Sequence, residues 1–311
     1  MMSVLDDKHF HNEAAAYRFV EARIWPNGPI CPHCGGAERI GKMGGKSTRV
    51  GAYKCYVCRK PFTVKVGTVF ESSHVPLRHW LQAIFLLSSS KKGISSNQLA
   101  RTLGCTLKTA WFISHRVREA MKIDGAADPM GGIGKIIESD ETFWGPKDVD
   151  TDPAMKARRR GKPGAGGKSK IFTLVERGGQ ARSFKIADAK NETLRRIHLG
   201  NASTESRLMT DEGITNAVGK HFAKHETVKH TAREYVRGEV HTNTVEGFFS
   251  VFKRGMKGTY QHCDAKHLQR YLTEFDFRYS NRIALGVNDV ARAERALKGI
   301  VGKRLMYRTT G

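Results

Sequence analysis

Ile136-Ile137-Glu138-Ser139-Asp140-Glu141-Thr142-Phe143 is an apolar strand interrupted by charge. A period of two puts Glu138 and Asp140 on one face and Glu141 on the other. A carboxylate inside a buried strand is costly unless a cation or hydrogen-bond donors compensate it. Asp140 is therefore the metal-ligand candidate, with Glu138 a nearby helper. The alternative is an exposed edge strand, where charge is ordinary.

The segments that follow complete a pattern. A basic, glycine-rich loop from Lys156 to Lys170 contains Arg158-Arg159-Arg160. Ile171 to Val175 turns through Gly178-Gly179 into Ala181 to Ile186, which predicts a hairpin. A helix is expected over Asn191 to His198, and then a short strand, Arg207 to Met209, ends at Asp211. Asn243 to Met256 and Lys266 to Tyr279 carry apolar residues at helical spacing. Strand, hairpin, helix, strand, helices is the order of an RNase-H-like α/β domain, placed at residues 133–285.

Two further acids fall where such a sheet presents ligands. Asp211 follows the apolar Leu208-Met209 at the carboxyl end of a strand, although it could equally cap the next helix. Glu246 lies near a helix start, with Lys253 two turns on and so on the same face. An acid in the first turn and bases in the last also suit the helix dipole alone.

Upstream, Cys31-Pro32-His33-Cys34 and Cys55-Tyr56-Val57-Cys58 form C-x2-C-x20-C-x2-C. Thiolates suit zinc, and a two-residue gap lets a tight knuckle put both sulfurs on one tetrahedral Zn2+. Cys31, Cys34, Cys55 and Cys58 are the predicted ligands, and His33 is a bystander. A helix from Asp6 to Ile24 precedes the knuckles, and strands are expected at Arg49 to Tyr53 and Phe62 to Val66, giving a zinc ribbon in residues 1–72. Residues 73–124 turn helical. Ile94 to Thr106 leading into Leu107 to Met121 reads as a helix-turn-helix whose second helix offers Lys108 to base edges and Arg116 and Arg118 to phosphates. A plain three-helix packing unit would have the same pattern. The basic tail, 286–311, is expected to pack loosely or to contact DNA.

Composition narrows the partners. Fifty-three Lys and Arg against 30 Asp and Glu give a net charge of +23, which favours a polyanion, since each basic residue that displaces a condensed counterion adds affinity. The most apolar stretch, Trp80 to Leu87, is too short to span a bilayer, and Met1 to Phe10 lacks the apolar core of a secretory signal. A cytoplasmic, nucleoid-associated protein with no membrane partner is expected.

Asp140, Asp211 and, after 34 intervening residues, Glu246, with Lys253 beyond, resemble the DDE signature of cut-and-paste transposases and retroviral-type integrases. More narrowly, the chain resembles the insertion-sequence 1595 (ISXO2-like) family of bacterial transposases. The strings that carry this are Cys31 to Gly35, Gly67 to Phe70, Ser90 to Ser95, Lys108 to Phe112, Asp140 to Thr142, Glu234 to Gly238, His241 to Lys253 and His267 to Leu272. The resemblance implies Mg2+ or Mn2+ held by Asp140, Asp211 and Glu246, and DNA contact by Lys253. Some relatives have asparagine as third ligand, so Asn243, one turn before Glu246, stands as an alternative. Phe143-Trp144-Gly145-Pro146 departs from the family's double glycine.

The expected activity is transposition: metal-dependent cleavage and strand transfer at insertion-sequence ends by a DDE-type polynucleotidyl transferase. Its partners would be terminal inverted repeats and target DNA, gripped by Lys253, Arg254, Lys108, Arg116, Arg158, Arg159 and Arg160 in a homodimer or larger assembly. Tyr235, Tyr260, Tyr271 and Ser250 could serve as nucleophiles, but the carboxylate set argues against a covalent intermediate. A non-catalytic zinc-ribbon DNA-binding regulator, a domesticated transposase, or another nuclease of the same fold that cleaves without joining are the competing readings.

Overall fold

The computed structural model describes residues 3–122, 128–145, 168–211, 218–228 and 236–306. They fall into two compact units, 1–122 with 287–311 and 123–286. The arginine run at 158–160 lies outside the described residues.

In the first unit, helix α1 (Glu13–Ile24) starts later than predicted because the Asn12 side chain accepts from the Ala15 amide at 2.9 Å and caps it. Two short 3-10 turns occupy the stretch before it. The ribbon is a three-stranded antiparallel sheet of β1 (Ile40–Lys42), β2 (Tyr53–Cys55) and β3 (Pro61–Phe62). Its strands hug the second cysteine pair more closely than alternation suggested, with Ile40 opposite Cys55 and Tyr53 opposite Phe62. Buried Cys31, Cys55 and Phe62 form its small core under Trp25 and Tyr53. Gly51, at φ +69°, lets the loop cross the Tyr17 ring, which a Cβ would meet at 2.1 Å.

Four helices complete this unit: α2 (Leu77–Ser89), α3 (Ser96–Leu103), α4 (Leu107–Ala120) and α8 (Asp289–Lys298). Ser95 and Thr106 cap α3 and α4, and Gly104 ends α3 in the left-handed conformation at φ 63°. The C-terminal segment corrects an expectation. Its described part, residues 287–306, is no loose tail: α8 packs on α2 and α4 with Ala296 and Leu297 buried, and Ile300 just beyond it is buried as well. Arg292 donates to the Ser88 carbonyl at 3.0 Å.

Arg116 and Arg118 are likewise corrected. Both are buried, at 3% and 1% exposure. Arg116 donates to the carbonyls of Val69 (2.6 Å), Glu71 (2.7 Å) and Leu305 (3.2 Å), and Arg118 to Ser114 Oγ at 3.0 Å. The predicted phosphate contact fails for these two because their donors serve the interior of the helical unit.

The second unit is a five-stranded mixed sheet in the order β6-β5-β4-β7-β8. Its strands are β4 (Ile136–Trp144), β5 (Ser169–Glu176), β6 (Ala181–Ile186), β7 (Arg207–Asp211) and β8 (Lys224–Val228). Pairing is antiparallel from β4 to β6 and parallel among β4, β7 and β8. Helix α5 (Asn191–Asn201) covers one face through Leu194 and Ile197 against Ile137, Phe172 and Leu208. Helices α6 (Asn243–Gly255) and α7 (Leu268–Ser280) cover the other, packing Phe248, Phe252 and Phe275 against Ile171 and Val175. Both faces of the central strands are thus apolar, as a parallel core requires. A two-stranded hairpin, β9 (Val236–Arg237) and β10 (Val240–His241), leads into α6.

Candidate active site

Strand register brings the first two carboxylates together. In the parallel pair β4–β7, Glu138 lies opposite Met209 and Ser139 opposite Thr210, so Asp140, midway along β4, and Asp211, at the end of β7, are the next residues on adjacent strands. Glu246, one turn into α6, faces the same opening. A cavity of about 530 Å³ is lined by Asp140, Glu141, Thr142, Asp211, Glu246, Phe249, Ser250 and Lys253. Of the two candidates for third ligand, Glu246 lines it and Asn243 is absent from that lining. Arg254 is exposed beyond the cavity and donates to the Ser250 carbonyl at 3.2 Å.

The electrostatics are dominated by burial and by carboxylates close to one another. Burial pushes the Asp140 carboxyl up to about 7; Asp211, Glu246 and Glu141 push the same way, against the Glu141 amide, which donates to Asp140 Oδ1 at 2.7 Å. Burial, then Asp211, also raises Glu141, with Lys170 opposing. Four carboxylates around one cavity, one of them desolvated to this extent, suit hard divalent cations.

Two neighbours behave differently from the reading by alternation. Glu141 was placed on the far face but lines the cavity. Among the described residues the β4–β7 pairing runs to Ser139–Thr210, and Glu141, beyond it, is half-buried and lines the opening with Asp140 and Thr142. Glu138, expected beside Asp140 as a helper, is fully buried and outside the cavity lining. It accepts from Thr244 and Val245 of α6 and from Arg177. No signal in the sequence pairs residues 138, 177 and 244, because only the folded sheet does so.

The ribbon holds a second candidate centre. One sulfur from each of Cys31, Cys34, Cys55 and Cys58 lies within 4.8 Å of the others, with Cys31 to Cys58 at 3.6 Å and Cys34 to Cys55 at 3.8 Å. Zinc–sulfur bonds of about 2.3 Å in a tetrahedron imply sulfurs about 3.8 Å apart, so the quartet fits Zn2+. Among the described residues this set meets single-ion spacing, whereas the carboxylates surround a wider space. At the start of α4, Lys108 is exposed. None of the described helices is long and apolar enough to cross a membrane.

Known proteins share both regions. Residues 131–280 match the ISXO2-like transposase domain, and residues 11–61 match the transposase zinc-ribbon domain. An uncharacterized protein in transposable element ISH50 of Halobacterium salinarum is 30% identical over 281 residues, which cover 87% of this chain and 92% of that protein.

Proposed function

Because the chain belongs to the ISXO2-like family of insertion-sequence 1595 transposases, we propose that it is an intracellular, metal-dependent DDE transposase that cleaves its element's ends and joins them to target DNA. The sheet order, with three antiparallel strands extended by two parallel ones, supports an RNase-H-like catalytic domain. The observation that carries the reading is the cavity lined by Asp140, Asp211 and Glu246 together, where burial and the neighbouring carboxylates push Asp140 up to about 7.

Asp140, Asp211 and Glu246 would hold the ions, and Glu141 adds negative charge at the rim. Divalent cations held there would neutralise charge developing on the attacking and leaving oxygens of an in-line displacement. Lys253, two turns along α6 in the same cavity lining, grips the phosphate beside the scissile bond. Water opens the phosphodiester at the element end and frees a 3′-hydroxyl. That hydroxyl then attacks target phosphorus and expels a target 3′-oxygen, so one P–O bond is exchanged for another. Protein side chains contribute position and charge, and no covalent protein intermediate forms.

The zinc ribbon and the pair α3–α4, read as a helix-turn-helix presenting Lys108, recognise the terminal repeats. Two ends require two copies, so the active form is a homodimer or larger. The net charge of +23 supports DNA binding that weakens steeply with salt. The reading is tested with Asp140→Asn: strand cleavage is lost while binding of element ends persists, and a variant that cleaves at the wild-type rate refutes it. Joining of pre-cut ends to target separates a transposase from a nuclease that only cleaves.

A further inference from the structure

We infer that Glu138 is the positioning residue of this site, a buried clamp that fixes the helix carrying Glu246 against the strands carrying Asp140 and Asp211. This inference rests on the catalytic reading above and deepens it.

Helix α6 starts without a cap of its own, since Thr242 makes no capping hydrogen bond and instead donates to Glu246 Oε1 at 3.2 Å. The Asn243 amide donates to His241 Nδ1 at 3.3 Å, and the next two amides are satisfied from the sheet. Glu138 Oε2 accepts from the Thr244 amide at 2.7 Å and the Val245 amide at 3.0 Å, while Oε1 accepts from Thr244 Oγ1 at 2.7 Å. A serine or asparagine at 242 would satisfy the same amides. It would not tie the helix to β4, which is what a carboxylate reaching from the strand accomplishes.

Arg177 extends the clamp to the second strand. Its Nε donates to Glu138 Oε1 at 2.5 Å, and its Nη2 reaches Met209 Sδ at 3.0 Å and the His241 carbonyl at 3.0 Å. Glu138 and Met209 are register partners, and Asp140 and Asp211 lie two residues beyond each of them. One layer of side chains below the cavity therefore joins β4, β7 and α6, each within two residues of a proposed ligand. Glu138 is 0% exposed, and an apolar residue in such a place commonly matches or exceeds a buried ion pair in stability. Held ligand geometry is what the charge supplies.

The test uses the zinc-loaded full-length chain. Mn2+ binding is measured from the free-ion electron paramagnetic resonance signal, and the half-saturating Mn2+ for cleavage of an element end is measured alongside. Glu138→Ala, folded, is expected to weaken Mn2+ binding and raise the half-saturating concentration about tenfold, with end binding unchanged. Glu138→Gln keeps an acceptor for the helix amides but loses the charge facing Arg177, and should recover part of that loss. A folded Glu138→Ala with wild-type Mn2+ affinity overturns the inference. So does failure of both variants to fold, which would make Glu138 a residue of the fold alone. Wild-type protein with no Mn2+ binding that Asp140→Asn removes would instead bring down the catalytic reading, and this inference with it.

Discussion

Asp140→Asn should make the protein more stable while destroying its activity. In the unfolded chain an aspartate titrates near 3.8, and in the fold burial lifts Asp140 to about 7. Between those values the folded state holds more protons than the unfolded state, so stability falls as pH climbs from about 4 to about 7. Above pH 7 the whole penalty is present. The rise from 3.8 to about 7, at roughly 1.4 kcal/mol per tenfold change in acidity, gives an upper figure of about 4 kcal/mol for keeping the buried carboxylate ionised. Asparagine is neutral and close in shape, and its oxygen can still accept from the Glu141 amide. At about 2–4 °C per kcal/mol for a unit of this size, the variant should melt several degrees above wild type at pH 8. The assay is calorimetric unfolding of zinc-loaded protein in buffer free of other divalent cations, at pH 5 and pH 8. Near pH 5, about one unit above the unfolded value, only part of the penalty is present, so the gap between the two proteins should be less than half of that at pH 8. Added Mg2+ should raise the wild-type melting temperature and leave the variant's unchanged. Equal melting temperatures at pH 8, or a less stable variant, would refute the electrostatic account of this site.

Arg116→Ala strips the donors from three carbonyls, two of them buried, and should cost roughly 3 kcal/mol in denaturant unfolding of the helical unit. Lys108→Ala, at an exposed position, should leave stability unchanged within about 0.5 kcal/mol and weaken binding of element ends in a mobility-shift titration. Truncation after Gly286 removes α8 and the Arg292–Ser88 bond; the shortened chain should lose the cooperative unfolding of the first unit and aggregate on purification. Chelation of zinc, or Cys55→Ser, should unfold the ribbon, read by release of one zinc per chain and loss of its amide protection in hydrogen exchange.

Legibility in the sequence followed the range of the interaction involved. The cysteine quartet could be read because its spacing is nearly local, and it closes to single-ion distances. Asp140 and Asp211 could be read because one interrupts an apolar strand and the other ends one, and the lining of one cavity includes both with Glu246 and Lys253. Arg116 and Arg118 could not. A basic residue on an amphipathic helix looks solvent-facing by period alone, whereas α4 is buried from Ile113 to Arg118. The packing of α8 against the N-terminal helices was equally hidden, since nothing local joins residue 287 to residue 88. Glu138 and Glu141 show the limit most clearly. The period-two rule sorted them by face, but the cavity beside β4 and the start of α6 decide their roles.

The account stands on divalent cations shared by Asp140, Asp211 and Glu246. Crystals of the zinc-loaded protein bound to an element end, soaked in Mn2+ and measured at the manganese absorption edge, test this most directly. Two anomalous peaks about 4 Å apart among those three carboxylates are predicted. An empty carboxylate cavity in crystals whose Mn2+ is bound elsewhere would contradict the account.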